Sequence, residues 1–147
     1  MVHEGCPADQ TFTAGDITVS GAFTRAMLQG AKVGAGYMTI TNNGTAADRL
    51  IGATTAATDK VELHNMSTED GMMKMVPVEG GIEIPAGESV TLAPGGLHIM
   101  FLEPRAPFKE GECVDVVLTF ETAGELGVQL NVGGVGASEA PAGEHQH

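Results

Sequence analysis

Histidine and methionine crowd into one stretch of the chain: His64 and Met66, then Met72, Met73 and Met75, then His98 and Met100. The whole sequence holds five histidines and eight methionines, and two of the former and five of the latter fall between residues 64 and 100. An imidazole nitrogen is a borderline ligand and a thioether a soft, neutral one. A site made of both suits a soft d10 ion, Cu(I), better than zinc, magnesium or calcium.

Such side chains act together only if local structure aims them at one place, and the period of two in β-strands gives that test. Across residues 60–66 the apolar Val61 and Leu63 face one way while Glu62, His64 and Met66 face the other. Across residues 97–101 the same alternation turns Leu97, Ile99 and Phe101 inward and leaves His98 and Met100 side by side on the outer face. Between these segments Met73 and Met75 share one face, opposite Met72 and Val76, and spacing alone does not choose between them. A lone histidine on a strand is more often a surface residue than a ligand, and a lone methionine more often core filler. Three separate segments agreeing reverse that expectation, whereas Met27 and Met38, outside the window, keep the core reading.

The elements that must hold these residues read as strands throughout. Residues 16–23 alternate, with Ile17 and Val19 against Thr18 and Ser20, and residues 37–41 resume β character before an Asn42-Asn43-Gly44 turn. The glycine-bearing stretch 25–36 between them reads as a loop or crossing connection. Further strand-like segments fall at 50–55, 59–66, 72–78, 82–84, 89–92, 97–102, 113–121 and 126–132, separated by turn signals such as Gly80-Gly81 and Pro94-Gly95-Gly96. No segment carries a sustained helical stripe, so the expectation is one all-β sandwich or barrel over residues 16–132. A polar N-terminal arm, 1–15, precedes it, and a tail without hydrophobic period, 133–147, follows as a disordered segment.

The balance of charge narrows the partners. A formal charge of −12 and a pI near 4.6 oppose binding to nucleic acid or to an anionic membrane surface, since both would be repelled. No apolar run is long enough to span a bilayer, so no membrane insertion is expected. No apolar signal sequence follows Met1, which leaves a cytoplasmic chain or an exported one already trimmed. Cys6 and Cys113 match no CxxC or zinc spacing; they are either a disulfide, implying an oxidising compartment, or two separate buried thiols. No paired carboxylates, nucleophile motif or phosphate loop points to an enzyme.

The ligand-bearing segments resemble the periplasmic copper chaperones of the PCu(A)C family. That family carries a His, about ten residues, a Met, about twenty-one residues and a His-x-Met, and here His64, ten residues, Met75, twenty-two residues and His98-Ile99-Met100 follow it. The extra residue falls in an interval containing two glycine turns, where a loop absorbs it. Residues 61–78, 84–87, 94–100 and 36–42 are also similar to family segments, so the resemblance covers roughly residues 16–121. It implies a cupredoxin-like Greek-key β-sandwich binding one Cu(I) through His64, Met75, His98 and Met100. It further implies a periplasmic chaperone that supplies the CuA centre in subunit II of cytochrome c oxidase, alone or with a Sco-type thiol protein.

Two other readings use the same residues differently. A blue-copper electron carrier needs a cysteine thiolate beside two histidines, and no histidine or methionine follows Cys113 closely. An immunoglobulin-like interaction module would make the Met/His surface incidental. Both chain ends carry weaker signals for a second, Cu(II) site: Met1-Val2-His3 and Glu144-His145-Gln146-His147.

Overall fold

The computed structural model describes residues 2–4, 11–27, 32–69, 71–78, 80–93, 96–105 and 108–133; the side chains of 2–4, 67–69 and 73–75 fall outside that description. Among the described residues there are twelve strands and no helix. They are β1 (Val2–Glu4), β2 (Phe12–Ala14), β3 (Ile17–Arg25), β4 (Val33–Asn42), β5 (Asp48–Thr54), β6 (Lys60–Glu69), β7 (Met72–Pro77), β8 (Ile82–Ile84), β9 (Ser89–Leu92), β10 (His98–Leu102), β11 (Glu112–Phe120) and β12 (Gly124–Gly133). The expected strands are present. Two more, β1 and β2, lie within the expected N-terminal arm, paired to β11 and β3.

The strands form one curled sheet in the order β7-β6-β10-β4-β3-β12-β11-β5-β8, with β9 pairing a second stretch of β4. Only the short β12–β3 contact is parallel among the described pairs. Neighbours in the sheet are mostly not neighbours in sequence, so the connections cross between strands as in a Greek key. Curling brings one face inward, and Ile17, Val19, Ile40, Leu50, Ile84, Ile99, Phe101, Leu118 and Leu130 are all buried in the core there. Each such side chain contributes about 1.5–3 kcal/mol by leaving water.

The stretch expected as a loop, 25–36, is strand at both its ends: β3 runs to Arg25 and β4 starts at Val33, while residues 28–31 lie outside the described residues. Gly34 and Gly36 serve packing. A side chain at Gly36 would meet the Phe101 ring at 3.1 Å, and one at Gly34 the Phe108 ring at 3.1 Å, so both positions stay bare to admit the aromatic core.

A bulge in β3 changes which face its later residues occupy. Gly21, at φ 62°, and Ala22 together stand opposite one residue of β4, and the register shifts between Ser20 and Phe23. The extra residue moves Phe23 off the face that Ile17 and Val19 share and pairs it with Tyr37. At the other end of the sheet, buried Asp48 accepts backbone N–H bonds from Arg49 (2.7 Å), Thr122 (2.8 Å) and Ala123 (2.9 Å), tying the β11–β12 turn to β5.

Candidate metal centre

β10 lies between β6 and β4, and its register sets His98 directly opposite His64 and Met100 opposite Glu62. On β7, Pro77 stands opposite His64 and Met75 opposite Met66. Beyond β10, the Tyr37 ring lies 6.4 Å from the His98 ring, and Phe23 lies 5.1 Å from Tyr37. One row across five strands therefore reads Phe23, Tyr37, His98, His64, Pro77. It occupies the face opposite the hydrophobic core.

Burial along this row corrects the expectation that His98 and Met100 lie on an outer surface. Both are only 4% exposed, nearly as buried as the Ile99 between them is on the other side. Alternation assigned the faces correctly, but a strand in the middle of a curled sheet is covered on both. Exposure rises only toward the edge: the His64 side chain retains 14% and Pro77 is exposed.

The two imidazoles are held in complementary ways. His64 Nε2 lies 2.7 Å from Glu62 Oε1, and His98 Nδ1 lies 3.0 Å from the Gly96 carbonyl. An ionised carboxylate and a carbonyl only accept, so these two nitrogens carry the ring protons. The remaining nitrogens, His64 Nδ1 and His98 Nε2, are buried lone pairs without a hydrogen-bond partner among the described residues. Leaving a buried acceptor unmade costs about 1–3 kcal/mol, so such a pair calls for an explanation. Metal-binding histidines show this division, one nitrogen tied to a carboxylate or carbonyl and the other free for the ion.

The rings are near enough to share one ion. Imidazole nitrogens bind first-row metals at about 2.0–2.1 Å, which allows ring centroids up to about 6.5 Å apart. Here they are 5.9 Å apart and inclined at 49°. Among the described residues no group of three or more His, Cys, Asp or Glu is placed to hold a metal. Thioethers share the histidine face. Met100 shares the face of His98 and is buried, and Met66 shares that of His64. Backbone register puts Met75 two positions along β7 from the Pro77–His64 pair; its side chain lies outside the described residues. Met38 is core and Met27 packs against it, as expected.

Burial holds the His98 imidazole below the ordinary histidine pKa; the Gly96 carbonyl opposes this and the neighbouring His64 adds to it. His98 thus stays neutral, and able to bind a metal, into mildly acid solution. Burial also raises the Tyr37 phenol, against the lowering effect of Arg25, whose guanidinium carbon lies 5.6 Å from the centre of the Tyr37 ring. The Gly96 carbonyl accepts from Met66 N–H as well, at 3.3 Å, which fixes the loop before β10 against β6.

Strand alternation put Glu62 on the His64 face but gave it no role, and it missed Tyr37 and Phe23. An acidic residue two positions before a strand histidine was the available signal for Glu62. For Phe23 there was none, because the bulge breaks the alternation. Cys113 is buried in β11 and is disulfide-bonded, so it offers no thiolate; the chain's other cysteine, Cys6, lies outside the described residues. Met1, the His3 side chain, His145 and His147 also lie outside them.

A curled Greek-key sheet with this buried histidine pair defines a cupredoxin-like domain. The chain belongs to the PCuAC family of copper chaperones: the family model described as "Putative lipoprotein LpqE-like" matches residues 17–132. Among solved structures it is similar to the apo PCuAC domain of PmoF2, with 27% identity, a TM-score of 0.73 and coverage of 89% of this chain and 100% of that one. The copper-bound PmoF2 domain gives 27% identity, a TM-score of 0.72 and coverage of 90% and 99%. The Cu(I) form of DR1885 from Deinococcus radiodurans gives 30% identity, a TM-score of 0.62 and coverage of 84% and 80%. The chain is also 36% identical over 107 residues to "Putative lipoprotein Lxx21020" of Leifsonia xyli subsp. xyli, covering 73% of this chain but 63% of that protein, less than two thirds of its length. The family comprises copper-binding chaperones rather than enzymes. A lipoprotein family points outside the cytoplasm.

Proposed function

We propose that this domain carries one Cu(I) through His64, Met75, His98 and Met100, and acts in the periplasm as a metallochaperone. The observation that carries the reading is the pair of buried imidazole nitrogens, on facing positions of β6 and β10, that have no hydrogen-bond partner among the described residues. Copper is the cargo, and the site suits a cargo. Thioethers need no deprotonation and form no disulfides, so the ligands persist where a dithiol site would oxidise. Four neutral ligands leave the ion its charge, and a softer, anionic thiolate acceptor can draw it away by ligand exchange. Because His98 and Met100 are buried while β7 is the sheet's edge strand, the acceptor approaches from the β6–β7 side.

The acceptor proposed is the CuA centre in subunit II of cytochrome c oxidase, served directly or through a Sco-type thiol protein; this rests on the family resemblance. A blue-copper electron carrier is disfavoured because Cys113 is in a disulfide. The test is Cu(I) titration against a competing chelator. Wild type should bind one equivalent, and Met75→Leu should lose more affinity than the about 10–100-fold typical of an outer-shell change. Equal affinity for the two proteins would remove Met75 from the site. Transfer is read by mixing the Cu(I)-loaded protein with a reduced apo CuA domain, separating the two and measuring the copper in each; no transfer would exclude that acceptor.

A further inference from the structure

We infer that Glu62 is a positioning residue that fixes the His64 tautomer, so that His64 meets the ion through Nδ1 while His98 meets it through Nε2. This rests on the Cu(I) reading and specifies its atoms. Glu62 and His64 are two residues apart on β6, which places both side chains on one face of the strand. The carboxylate is 2.7 Å from Nε2 and can only accept, so the single proton of a neutral imidazole sits there. The other tautomer would face the Nε2 lone pair to the carboxylate and bury an N–H at Nδ1, which has no partner among the described residues.

The arrangement is asymmetric between the two rings. His98 is oriented by a backbone carbonyl, which no substitution at Gly96 removes; His64 is oriented by a side chain, and that side chain is 53% exposed. The Glu62 carboxylate thus stands in water while the His64 ring beside it is largely covered. His64 is therefore the ligand whose orientation a single exposed residue controls.

The experiment uses the full chain with 15N-labelled histidine, in apo and Cu(I)-loaded forms, above the histidine titration range. Long-range proton–nitrogen spectra report which nitrogen carries the proton and which binds the diamagnetic ion, and chelator competition gives affinity. Wild type should show the Nε2–H tautomer at His64 in both forms, with Nδ1 bound on loading. Glu62→Ala should lose the single tautomer in the apo form and about 10–100-fold in Cu(I) affinity. Glu62→Gln, whose amide oxygen still accepts from Nε2–H, should restore the tautomer and most of the affinity. Glu125→Gln, the same charge change on an exposed residue of β12, should alter neither. Binding of His64 through Nε2, or wild-type tautomer and affinity in Glu62→Ala, would overturn the inference while leaving the copper site standing. Wild type that takes up no Cu(I) at all would overturn both.

Discussion

A histidine kept for a metal should burden the apo fold, and His98→Leu measures that burden. The residue is buried, its Nε2 has no partner among the described residues, and leucine has nearly its volume. Removing the unmet acceptor should return about 1–3 kcal/mol, while losing the Nδ1–H bond to Gly96 costs about 0.5–1.5 kcal/mol. The Gly96 carbonyl is not orphaned by the change, because Met66 N–H still reaches it. The net is a stabilisation of about 1 kcal/mol, or roughly 3–5 °C in Tm for a domain of this size. Thermal and urea unfolding of metal-free protein at pH 8 would read it directly. Adding one equivalent of Cu(I) should then raise the Tm of wild type by mass action and leave the variant nearly unmoved. A variant less stable than wild type by about 2 kcal/mol or more would show that His98 is a structural core residue, and the reasoning from orphaned nitrogens would fail.

Other expectations come from the same geometry. Because burial lowers the His98 pKa, its neutral form is favoured on folding. That contribution to apo stability is complete above the ordinary histidine value of about 6.5 and is lost as pH falls through it towards the folded value. Urea midpoints from pH 8 to pH 5 should decline in wild type by more than in His98→Leu. Cu(I) affinity should fall over the same acid range as protons compete for the imidazoles; a chelator titration flat across it would count against two histidine ligands. Met100→Leu conserves buried volume, so stability should change by less than about 1.5 kcal/mol while Cu(I) binding weakens, which separates packing from ligation in one variant. Asp48→Ala strands three backbone N–H groups far from the histidines and should cost about 2–4 kcal/mol in urea unfolding, with the copper stoichiometry of the folded protein unchanged.

The sequence was most legible where the strand period is regular. Glu62-Leu63-His64 and His98-Ile99-Met100 were assigned to the right faces because alternation holds along β6 and β10. What alternation does not carry is the number of layers covering a face, so burial of His98 and Met100 was not foreseen. The run Gly34-Ala35-Gly36 read as a loop because glycine usually breaks strands; here it admits Phe101 and Phe108, a contact between segments far apart in sequence. The bulge at Gly21 illustrates the same limit. One inserted residue turns Phe23 from the core side to the histidine side, and only the pairing of β3 with β4 reveals it. The division of roles within each imidazole needed coordinates, since it depends on what lies beside each nitrogen.

The ligand set itself is tested most directly by X-ray absorption at the copper edge of the Cu(I)-loaded protein. Two thioether sulfurs and two imidazole nitrogens around a monovalent ion are predicted, with one sulfur lost in Met75→Leu and one imidazole lost in His98→Leu. A shell of nitrogen and oxygen alone, or one unchanged in both variants, would contradict the site.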